Sequence, residues 1–499
     1  MYPSPTLAYD PREAELAEWR EREKSALDLL QIAGELRFDR AIDFTIFRRL
    51  VYDCRASQVL QALERSQDYS RRPIGIDLAL SLAYAVAQLE GLHTCKIDLG
   101  RLATEWLTRS GAYVNTDAFV RDRLRELLAS LPPAPAGATD GDSGGRDVIL
   151  YGFGRIGRIV ARQLALHTGR GNQLRLRGIV LRPRLDDPHE ELTKRAALLR
   201  SDSVHGNFDG LVEVSPDAEY LIVNGTSVRV FWAEAPEELD YAAHGLRDAL
   251  LIDNTGAYRT RAGLERHLRP GVRSVLLTAP GEEVPNIVFG VNHGRYDWST
   301  VRLASAASCT TNAITPVLQA VSRGLGVRRA HVDALHAFTS DQNLLDNFHR
   351  RPRRGRSAAS NMIITPTSAA QAAEQALPEL AGRLTANGVR IPIPSGSLAV
   401  LNVTVERPTN RDEVNEIMRQ AALDGPICEQ VLYSNSSEYA SSNVIGHTAT
   451  AVFDAPATVV SADGLGVTLH LWYDNEYGYA CQVMRLAKLM AGVHRARYI

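Results

Sequence analysis

A glycine-rich turn near residue 150 constrains the fold of this chain more than any other feature. The short apolar run Val148–Tyr151 leads into Gly152-Phe153-Gly154-Arg155-Ile156-Gly157, and a helical pattern follows over Arg158–Leu166. In a G-x-G-x-x-G turn between strand and helix, the first glycine permits a tight bend, the second lets the backbone approach a pyrophosphate, and the third allows close packing. A close-packed turn without a ligand is the alternative interpretation. The pattern predicts a dinucleotide phosphate site formed by Gly152, Gly154, Arg155, Ile156 and Gly157.

The residues that follow this turn alternate between short apolar runs and helical patterns. Such alternation predicts an α/β fold in which a Rossmann-type parallel sheet is covered on both faces. The strand-like runs are Leu174–Leu181, Leu221–Val223, Val228–Phe231, Ala249–Ile252 and Ser274–Leu277. From about residue 328 the strands lengthen, as in His331–Phe338, Leu398–Glu406 and Val467–Tyr473. This second half therefore predicts an α+β domain with a larger sheet.

The N-terminal quarter of the chain has a different sequence pattern. Charged residues and leucines recur at helical spacing, with few glycines or prolines inside the runs, so we expect an all-α region over residues 1–130. The expected helices cover Trp19–Phe38, Ala41–Leu63, Asp77–Leu89 and Phe119–Leu128. The stretch LPPAPAGATDGDSGG then has too little apolar content to pack. We expect residues 131–146 to form a flexible linker.

Composition excludes several classes of protein. The 499 residues suggest about three domains, and the formal net charge of −2 gives no general affinity for nucleic acid or an anionic membrane. Five cysteines without a C-x-x-C pair predict neither a disulfide framework nor a metal site. The first residues do not resemble a secretory signal, and the most apolar segment, Leu78–Val86, is too short to span a bilayer. We therefore expect a cytoplasmic protein without a membrane partner.

The end of the second strand bears on the choice of cofactor. Dinucleotide sites commonly place a carboxylate about 20 residues after the glycine turn, where it binds the adenosine ribose. Here Leu174–Leu181 ends in Arg182-Pro183-Arg184, and the acids Asp186 and Asp187 come later. An arginine at this position favours a 2′-phosphate, and hence NADP over NAD. In the alternative interpretation Arg182 is a solvated surface charge and a loop carboxylate replaces the missing acid.

A cysteine and a histidine form the second candidate site. Cys309 lies in Ser308-Cys309-Thr310-Thr311-Asn312, where a helical run begins, and the positive end of a helix stabilises a thiolate. His336, at the end of a strand, is a candidate ion-pair partner and proton carrier for that thiol. A buried structural cysteine and a core histidine are the alternatives, because the sequence does not establish that the two residues meet.

Several motifs together resemble one enzyme family. SCTTN, HAFT and WYDNEYGY, supported by GFGRIGR, RSDSVHGNF, DNTGAYRT, GVNH and LPEL, resemble phosphorylating glyceraldehyde-3-phosphate dehydrogenase in order and spacing. The resemblance covers residues 147–499 and leaves residues 1–146 without a counterpart. It implies an NAD(P)-binding domain over residues 147–308, a catalytic domain over residues 309–475 and a C-terminal helix over residues 476–499 that packs back on the first. It also implies a homotetramer.

The resemblance implies a covalent mechanism. Cys309 would attack the aldehyde of glyceraldehyde 3-phosphate, His336 would act on the thiol and hydroxyl protons, and hydride would pass to NAD or NADP. Inorganic phosphate would then release 1,3-bisphosphoglycerate from the Cys309 thioester, in a reversible reaction. The backbone N–H of Cys309 is a candidate oxyanion donor.

By the same resemblance, individual positions would bind substrate and cofactor. Thr339 and Arg390 would hold the substrate phosphate. The attacking phosphate would be held by Ser308, Thr310, Arg354 and Thr367, with Ser368 where the family has glycine. Asn475 would hold the nicotinamide amide, with Tyr479 nearby. The cofactor groove would be lined by Thr255, Gly256 and Thr278, together with the glycine turn and Arg182.

Some features leave alternatives open. Tyr151, Arg182 and Asn347-Phe348 depart from the family pattern on the cofactor side, so cofactor choice is uncertain from the resemblance alone. The arginine-rich stretch His349–Arg356 matches the family's long intersubunit loop, and we expect only weak, salt-sensitive nucleic-acid binding from it. The functional alternatives are an erythrose-4-phosphate dehydrogenase, or a regulatory or scaffold protein whose N-terminal helices bind an unknown partner.

Overall fold

The computed structural model describes residues 11–66, 72–131, 145–166, 173–493 and 495–498. These residues form two compact units. Residues 11–66, 72–131 and 495–498 belong to the first unit, and residues 145–166 and 173–493 belong to the second. Residues 132–144 of the predicted linker lie outside the described residues.

The first unit combines helices with a small sheet, so the prediction of an all-α region is wrong. Its helices are Pro11–Arg40, Ala56–Glu64, Ile76–Ala87, Leu99–Arg109, Thr116–Arg123 and Arg125–Ser130. Its four-stranded sheet has the order Arg49–Leu50, Ile42–Ile46, Cys95–Asp98 and Ala496–Tyr498. Both outer neighbours of the central pair are short, and Cys95–Asp98 runs parallel to the strands on either side of it.

The error arises where a helix was expected over Ala41–Leu63. Ile42–Ile46 is a strand, and the helix begins only at Ala56. The sequence of this strand, IDFTI, does alternate apolar and polar side chains, but at five residues the run is too short to stand out from the helical pattern on either side of it. Its parallel partner also lies some 50 residues away in the chain, beyond the reach of any local pattern.

The C-terminal segment also differs from the expected single helix over residues 476–499. The helix covers Tyr477–Met490, and Val483 and Met484 share a hydrophobic core with Val160 and Leu164 of the helix after the glycine turn. Residues Ala496–Tyr498 instead form a strand in the first unit. The end of the chain therefore belongs to the sheet of the N-terminal region.

The first half of the second unit contains the predicted Rossmann-type sheet. Its eight strands lie in the order Leu303–Ser305, Val272–Leu277, Ala249–Asp253, Arg146–Tyr151, Leu174–Leu181, Thr226–Trp232, Tyr220–Val223 and Val212–Val214. The first six are parallel, and the last two are antiparallel additions at one edge. The associated helices are Arg155–Leu166, Pro188–Arg200 and Arg261–Glu265, and a hairpin pairs Ser201–Asp202 with Gly206–Asn207. The predicted α/β fold is confirmed.

The second half is built on a mixed sheet. Its main path has the order Ile363–Thr365, Leu384–Ile391, Val327–Ala337, Ser397–Val405, Gly466–Tyr473, Ala451–Asp454 and Val431–Ser434, with Val459–Val460 paired to Gly466–Tyr473. The helices are Cys309–Leu325, Ala369–Ala376 and Arg411–Leu423. Cys309–Leu325 is buried along almost its whole length and packs against this sheet. Among the residues that the structure describes, no helix has the length and apolar character needed to cross a membrane.

Candidate active site

The three glycines of the turn have three different surroundings. Gly152 has a φ of 88°, and a Cβ there would lie 2.7 Å from Thr255 Cγ2. A Cβ on Gly157 would lie 2.5 Å from the carbonyl oxygen of Gly152. A Cβ on Gly154 would meet nothing within 4 Å, so it would project into open space at the start of the helix Arg155–Leu166. The turn thus leaves room for a phosphate at Gly154, as a dinucleotide requires.

This turn lies where the strand order reverses. Arg146–Tyr151 has Leu174–Leu181 on one side and Ala249–Asp253 on the other, which is the usual position of a nucleotide site in such sheets. Thr278 Oγ1 donates to the carbonyl of Asp253 (3.1 Å), and Thr255 Oγ1 donates to Asp253 Oδ1 (2.6 Å). Both hydroxyls therefore shape the groove through internal hydrogen bonds.

One cavity of about 670 Å³ extends from this turn to the cysteine. It is lined on the nucleotide side by Arg155, Ile156, Asn254 and Thr278. On the catalytic side it is lined by Ser308, Cys309, His336, Thr339, Arg390, Asn475 and Tyr479. The structure therefore brings together residues that the sequence separates by more than 300 positions.

The side chain of Arg155 is engaged within the protein. It donates two hydrogen bonds of 2.5 Å to Glu476 and two longer ones to Asp202. The hydrogen bonds and charge of Glu476 raise the pKa of Arg155, so the guanidinium remains charged. This pairing ties the glycine turn to the segment that contains Asn475.

Asp474, beside Asn475, is buried and forms hydrogen bonds with several neighbouring groups. Its Oδ1 accepts hydrogen bonds from the backbone N–H groups of Glu476 and Tyr477, both at 2.9 Å, at the start of the C-terminal helix. Its Oδ2 lies 3.0 Å from His205 Nε2. Burial lowers the pKa of His205, but the hydrogen bond and charge of Asp474 outweigh it and the pKa is raised. His205, Asp474 and Glu476 lie in motifs that carry the family resemblance, but nothing in those motifs indicated the contacts that these residues form.

Asn475 and Tyr479 are held on the wall of the cavity. Asn475 Oδ1 accepts a hydrogen bond from Ser397 Oγ at 3.0 Å, and Tyr479 OH donates to the carbonyl of Ala307 at 2.9 Å. Each side chain is buried apart from the surface that it presents to the cavity. The hydrogen bonds to Ser397 and Ala307 therefore fix the positions of these two side chains on the cavity wall.

The cysteine and histidine are in contact. Cys309 is the first residue of the helix Cys309–Leu325, and the Ser308 side chain caps that helix by accepting from Thr311 N–H. His336 lies near the end of the strand Val327–Ala337. The Cys309 Sγ is 3.3 Å from His336 Nε2. This distance suits proton exchange between thiol and imidazole.

The second nitrogen of His336 faces two groups. His336 Nδ1 lies 2.7 Å from the carbonyl oxygen of Ala337, and Arg390 Nη1 lies 2.8 Å from that oxygen and 2.6 Å from Nδ1. A carbonyl only accepts and a guanidinium only donates, so Nδ1 carries a proton when it binds Ala337 and lacks one when it accepts from Arg390. The hydrogen bond that forms at Nδ1 therefore determines whether Nε2 of the neutral imidazole carries a proton.

The electrostatic surroundings favour a neutral pair in this arrangement. Burial raises the pKa of the Cys309 thiol, and the charge of Arg390 acts in the opposite direction. Burial, followed by the charge of Arg390, lowers the pKa of His336 to about 3. A change in the environment of Arg390 would thus alter the protonation of both catalytic candidates.

The candidate phosphate ligands divide into two sets. Ser308, Thr339 and Arg390 line the main cavity, and Arg354 lies on a neighbouring one, where it pairs with Asp341. Thr310, Thr367 and Ser368 are not among the lining residues. Thr310 Oγ1 lies 3.1 Å from the buried Tyr473 OH, Thr367 Oγ1 accepts from Ala369 N–H, and Ser368 precedes the helix Ala369–Ala376.

Two positions that depart from the family pattern, Arg182 and Tyr151, do not line the cavity that contains the catalytic pair. Arg182 follows the strand Leu174–Leu181 and forms a 3.0 Å ion pair with Glu234, and both side chains are exposed. Tyr151 is buried, with its ring packed edge-on against Tyr258 and His267.

Gly256, a predicted residue of the cofactor groove, borders the neighbouring cavity, close to Arg259.

Comparisons with known proteins agree with this arrangement. Residues 146–261 match the family model described as glyceraldehyde 3-phosphate dehydrogenase, NAD binding domain. Residues 308–475 match the C-terminal domain of the same family. The predicted resemblance and the nicotinamide dinucleotide cofactor, NAD or NADP, are confirmed at this level.

Individual relatives extend the match. A glyceraldehyde-3-phosphate dehydrogenase-like protein of Pseudomonas aeruginosa (strain UCBPP-PA14) is 43% identical over 444 residues, which is 87% of this chain and 92% of the relative. A glyceraldehyde-3-phosphate dehydrogenase of Pseudomonas aeruginosa PAO1 is 39% identical over 344 residues, 68% of this chain and 97% of the relative. Glyceraldehyde-3-phosphate dehydrogenase 2 of Trichormus variabilis is 36% identical, and the alignment covers 69% of this chain and 98% of the relative.

The first of these alignments is longer than the segment from residue 147 to the end, so it includes part of the N-terminal region. The other two cover almost all of a shorter relative. Taken with the glycine turn and the Cys309–His336 contact, these matches show that the chain belongs to the glyceraldehyde-3-phosphate dehydrogenase family, as a long variant with an additional N-terminal unit.

Proposed function

We propose that this protein catalyses the reversible phosphorylating oxidation of glyceraldehyde 3-phosphate to 1,3-bisphosphoglycerate with NAD or NADP. The observation that carries the proposal is the 3.3 Å contact between Cys309 Sγ and His336 Nε2, on a cavity that begins at the glycine turn. A nucleophile, a proton acceptor and a dinucleotide groove are the parts that this oxidation needs.

The chain's own residues perform the covalent steps. Cys309 Sγ attacks the aldehyde carbon, and the Cys309 backbone N–H at the start of its helix stabilises the oxygen on which charge develops. His336 Nε2 takes the thiol proton, returns it to the oxyanion to form the hemithioacetal hydroxyl, and removes it again as the hydride departs. When bound in the groove beside the glycine turn, a nicotinamide cofactor would supply the hydride acceptor. The resulting Cys309 thioester is cleaved by inorganic phosphate, which restores the thiolate.

Anion recognition follows from the groups on the cavity walls. Thr339 and Arg390 hold the substrate phosphate, and Ser308 with Arg354 holds the attacking phosphate. Thr310, Thr367 and Ser368 are family-based candidates for the second anion, although their hydroxyls lie off the cavity wall. Asn475 binds the nicotinamide amide, with Tyr479 beside it.

The test of this function uses the full chain with glyceraldehyde 3-phosphate. We expect Cys309→Ser to abolish nicotinamide reduction and His336→Asn to lower kcat by about 10²–10⁴. Omission of inorganic phosphate should stop turnover after the thioester forms. Reduction that survives in Cys309→Ser would refute the mechanism. Sustained turnover without phosphate, with erythrose 4-phosphate preferred, would favour the alternative dehydrogenase.

For the cofactor we propose a preference for NADP. Arg182 pairs with the exposed carboxylate of Glu234, and exposed pairs contribute at most about 1 kcal/mol, so a 2′-phosphate can replace Glu234 at little cost. We expect Arg182→Ala to lower kcat/KM for NADP about tenfold while leaving NAD unaffected. Arg177→Ala is the matched control, because Arg177 is an exposed arginine on the strand that ends just before Arg182. Equal use of both cofactors by the unaltered protein would remove the proposal.

We also propose a cytoplasmic homotetramer. The loop after Thr339 and the edge strand Ile363–Thr365 expose several large apolar side chains, which is typical of an interface. These are Leu344, Leu345, Phe348, Met362 and Ile364. Light scattering on Phe348→Ser, compared with the unaltered chain, tests this assignment. A regulatory role for the N-terminal unit, through an unknown partner, is the second candidate function, and the alignment with the first Pseudomonas relative extends into this unit.

A further inference from the structure

We propose that Arg259, Arg350 and Arg351 form an additional anion subsite that binds the second phosphate group of a small polyphosphorylated molecule. In this arrangement the first phosphate group of that molecule contacts Thr339 and Arg390. The inference rests on the proposed function in one respect, namely that these two residues hold the substrate phosphate. Such a molecule would therefore compete with the aldehyde substrate.

The subsite lies on a cavity of about 550 Å³, separate from the one described above but sharing Thr339 and Arg390 with it. Three segments build it: the turn containing Gly256 and Arg259, the loop from Thr339 to Arg354, and the strand end at Arg390. The cavity thus connects the border of the cofactor groove with the proposed substrate-phosphate residues.

The walls of this cavity carry a large excess of positive charge. Five of its lining residues are arginines, namely Arg259, Arg350, Arg351, Arg354 and Arg390. Its single carboxylate, Asp341, already pairs with Arg354. Burial, followed by the charge of Arg390, lowers the pKa of Arg354, as expected where cations converge without enough anions. Such a cavity attracts and concentrates anions.

Three of these guanidiniums lack a carboxylate partner within the described part of the chain. Arg259 Nε donates to the carbonyl oxygen of Gly256 at 2.9 Å, and neither Arg350 nor Arg351 forms an ion pair there. By contrast, Arg356 on the same loop lies 3.1 Å from Asp346 and does not line the cavity. Arg353, also off the cavity, donates to the carbonyl oxygen of Ile364 and forms no ion pair in the described part of the chain, so the unneutralised charge is concentrated on the cavity wall without being confined to it.

The number of donors indicates more than one phosphate group. A single phosphate held by Thr339 and Arg390 binds one hydroxyl and one guanidinium fork, while Arg354 serves the attacking phosphate. This phosphate would leave the positive charges of Arg259, Arg350 and Arg351 without a bound anion. A ligand with a second phosphate, joined through an anhydride or a short carbon skeleton, would satisfy both groups of donors.

The experiment measures binding of inorganic tripolyphosphate by calorimetry to full-length Cys309→Ser protein, so that no turnover is required. We expect tripolyphosphate to bind at least about tenfold more tightly than orthophosphate, and Arg350→Gln/Arg351→Gln to remove most of that advantage. Arg353→Gln/Arg356→Gln, which removes two charges from the same loop away from the cavity, should leave it within about twofold. Arg390→Gln should weaken both anions.

Two further comparisons complete the experiment. One distinguishes the possible carriers of the second phosphate, and the other distinguishes failure of the subsite from failure of the proposed function. Fructose 1,6-bisphosphate carries two monoesters, so preference between it and tripolyphosphate distinguishes a carbon skeleton from an anhydride chain. Equal affinity for tripolyphosphate and orthophosphate, or an equal effect of the two double variants, would overturn the subsite. Thermal melts confirm that each variant is folded. Absence of glyceraldehyde 3-phosphate oxidation would contradict the proposed function without affecting this binding result.

Discussion

Arg390 Nη1 lies 2.6 Å from His336 Nδ1 and donates to the Ala337 carbonyl that this nitrogen also faces. A residue proposed to hold the substrate phosphate is therefore in contact with the proposed catalytic base. Because an anion bound to Arg390 would offset its charge, substrate binding and the protonation of the Cys309–His336 pair are linked. This linkage gives the first prediction.

Arg390→Gln is expected to make the Cys309 thiol less acidic. The charge of Arg390 lowers the thiol pKa against the opposing effect of burial, so its removal leaves burial dominant. The pH dependence of alkylation by iodoacetamide should shift to higher pH in Arg390→Gln, whereas Arg390→Lys should resemble the unaltered protein. A profile that stays in place, or shifts to lower pH, would contradict this electrostatic coupling.

His336 is expected to make the protein less stable in mild acid. Its folded pKa of about 3 lies below the ordinary histidine value of 6.5, so the unfolded chain binds a proton first as the pH falls. The free energy of unfolding should drop by about 2 kcal/mol between pH 7 and pH 5 from this group. Urea unfolding should show a smaller decline for His336→Gln, and identical declines would argue against a buried neutral imidazole.

Alanine substitutions should separate the roles of two glycines in the turn. In Gly157→Ala the new Cβ would approach the Gly152 carbonyl oxygen to 2.5 Å, so we expect a loss of about 1–3 kcal/mol in stability. In Gly154→Ala the Cβ meets open space, so the melting temperature should hold while cofactor affinity falls. Differential scanning fluorimetry and cofactor titration check this, and normal cofactor binding by Gly154→Ala would place the phosphates elsewhere.

The last strand of the chain is expected to stabilise the N-terminal unit. Ala496–Tyr498 pairs with Cys95–Asp98, Tyr498 OH accepts from Arg123 Nε at 3.4 Å, and its ring lies below Arg101. Tyr498→Ala should therefore increase proteolysis within residues 11–131, by a loss of about 2–4 kcal/mol in local stability. Tyr498→Phe keeps the ring and should lose much less. Unchanged proteolysis in Tyr498→Ala would show that the strand is dispensable.

The local elements around the site could be predicted from sequence because their signals are local. Leu174–Leu181 was predicted with its observed bounds, and the turn at Gly152–Gly157 lies between strand and helix as expected. Ile42–Ile46 was missed because its alternating run is only five residues long and its parallel partner, Cys95–Asp98, is distant in the chain. Tyr498 is an extreme case, because its strand pairs with residues some 400 positions earlier.

The sequence by itself determined the family, the Rossmann-type fold and the identity of the residues available for chemistry, since motifs such as SCTTN and HAFT are properties of adjacent residues. Only the tertiary structure decided which of them meet. It placed Cys309 Sγ 3.3 Å from His336 Nε2 and Arg390 Nη1 beside Nδ1 of that imidazole, and it gathered five arginines around one cavity. Contacts between distant strand and helix ends depend on the packing of the sheets, and electrostatic interactions follow those distances rather than positions in the chain.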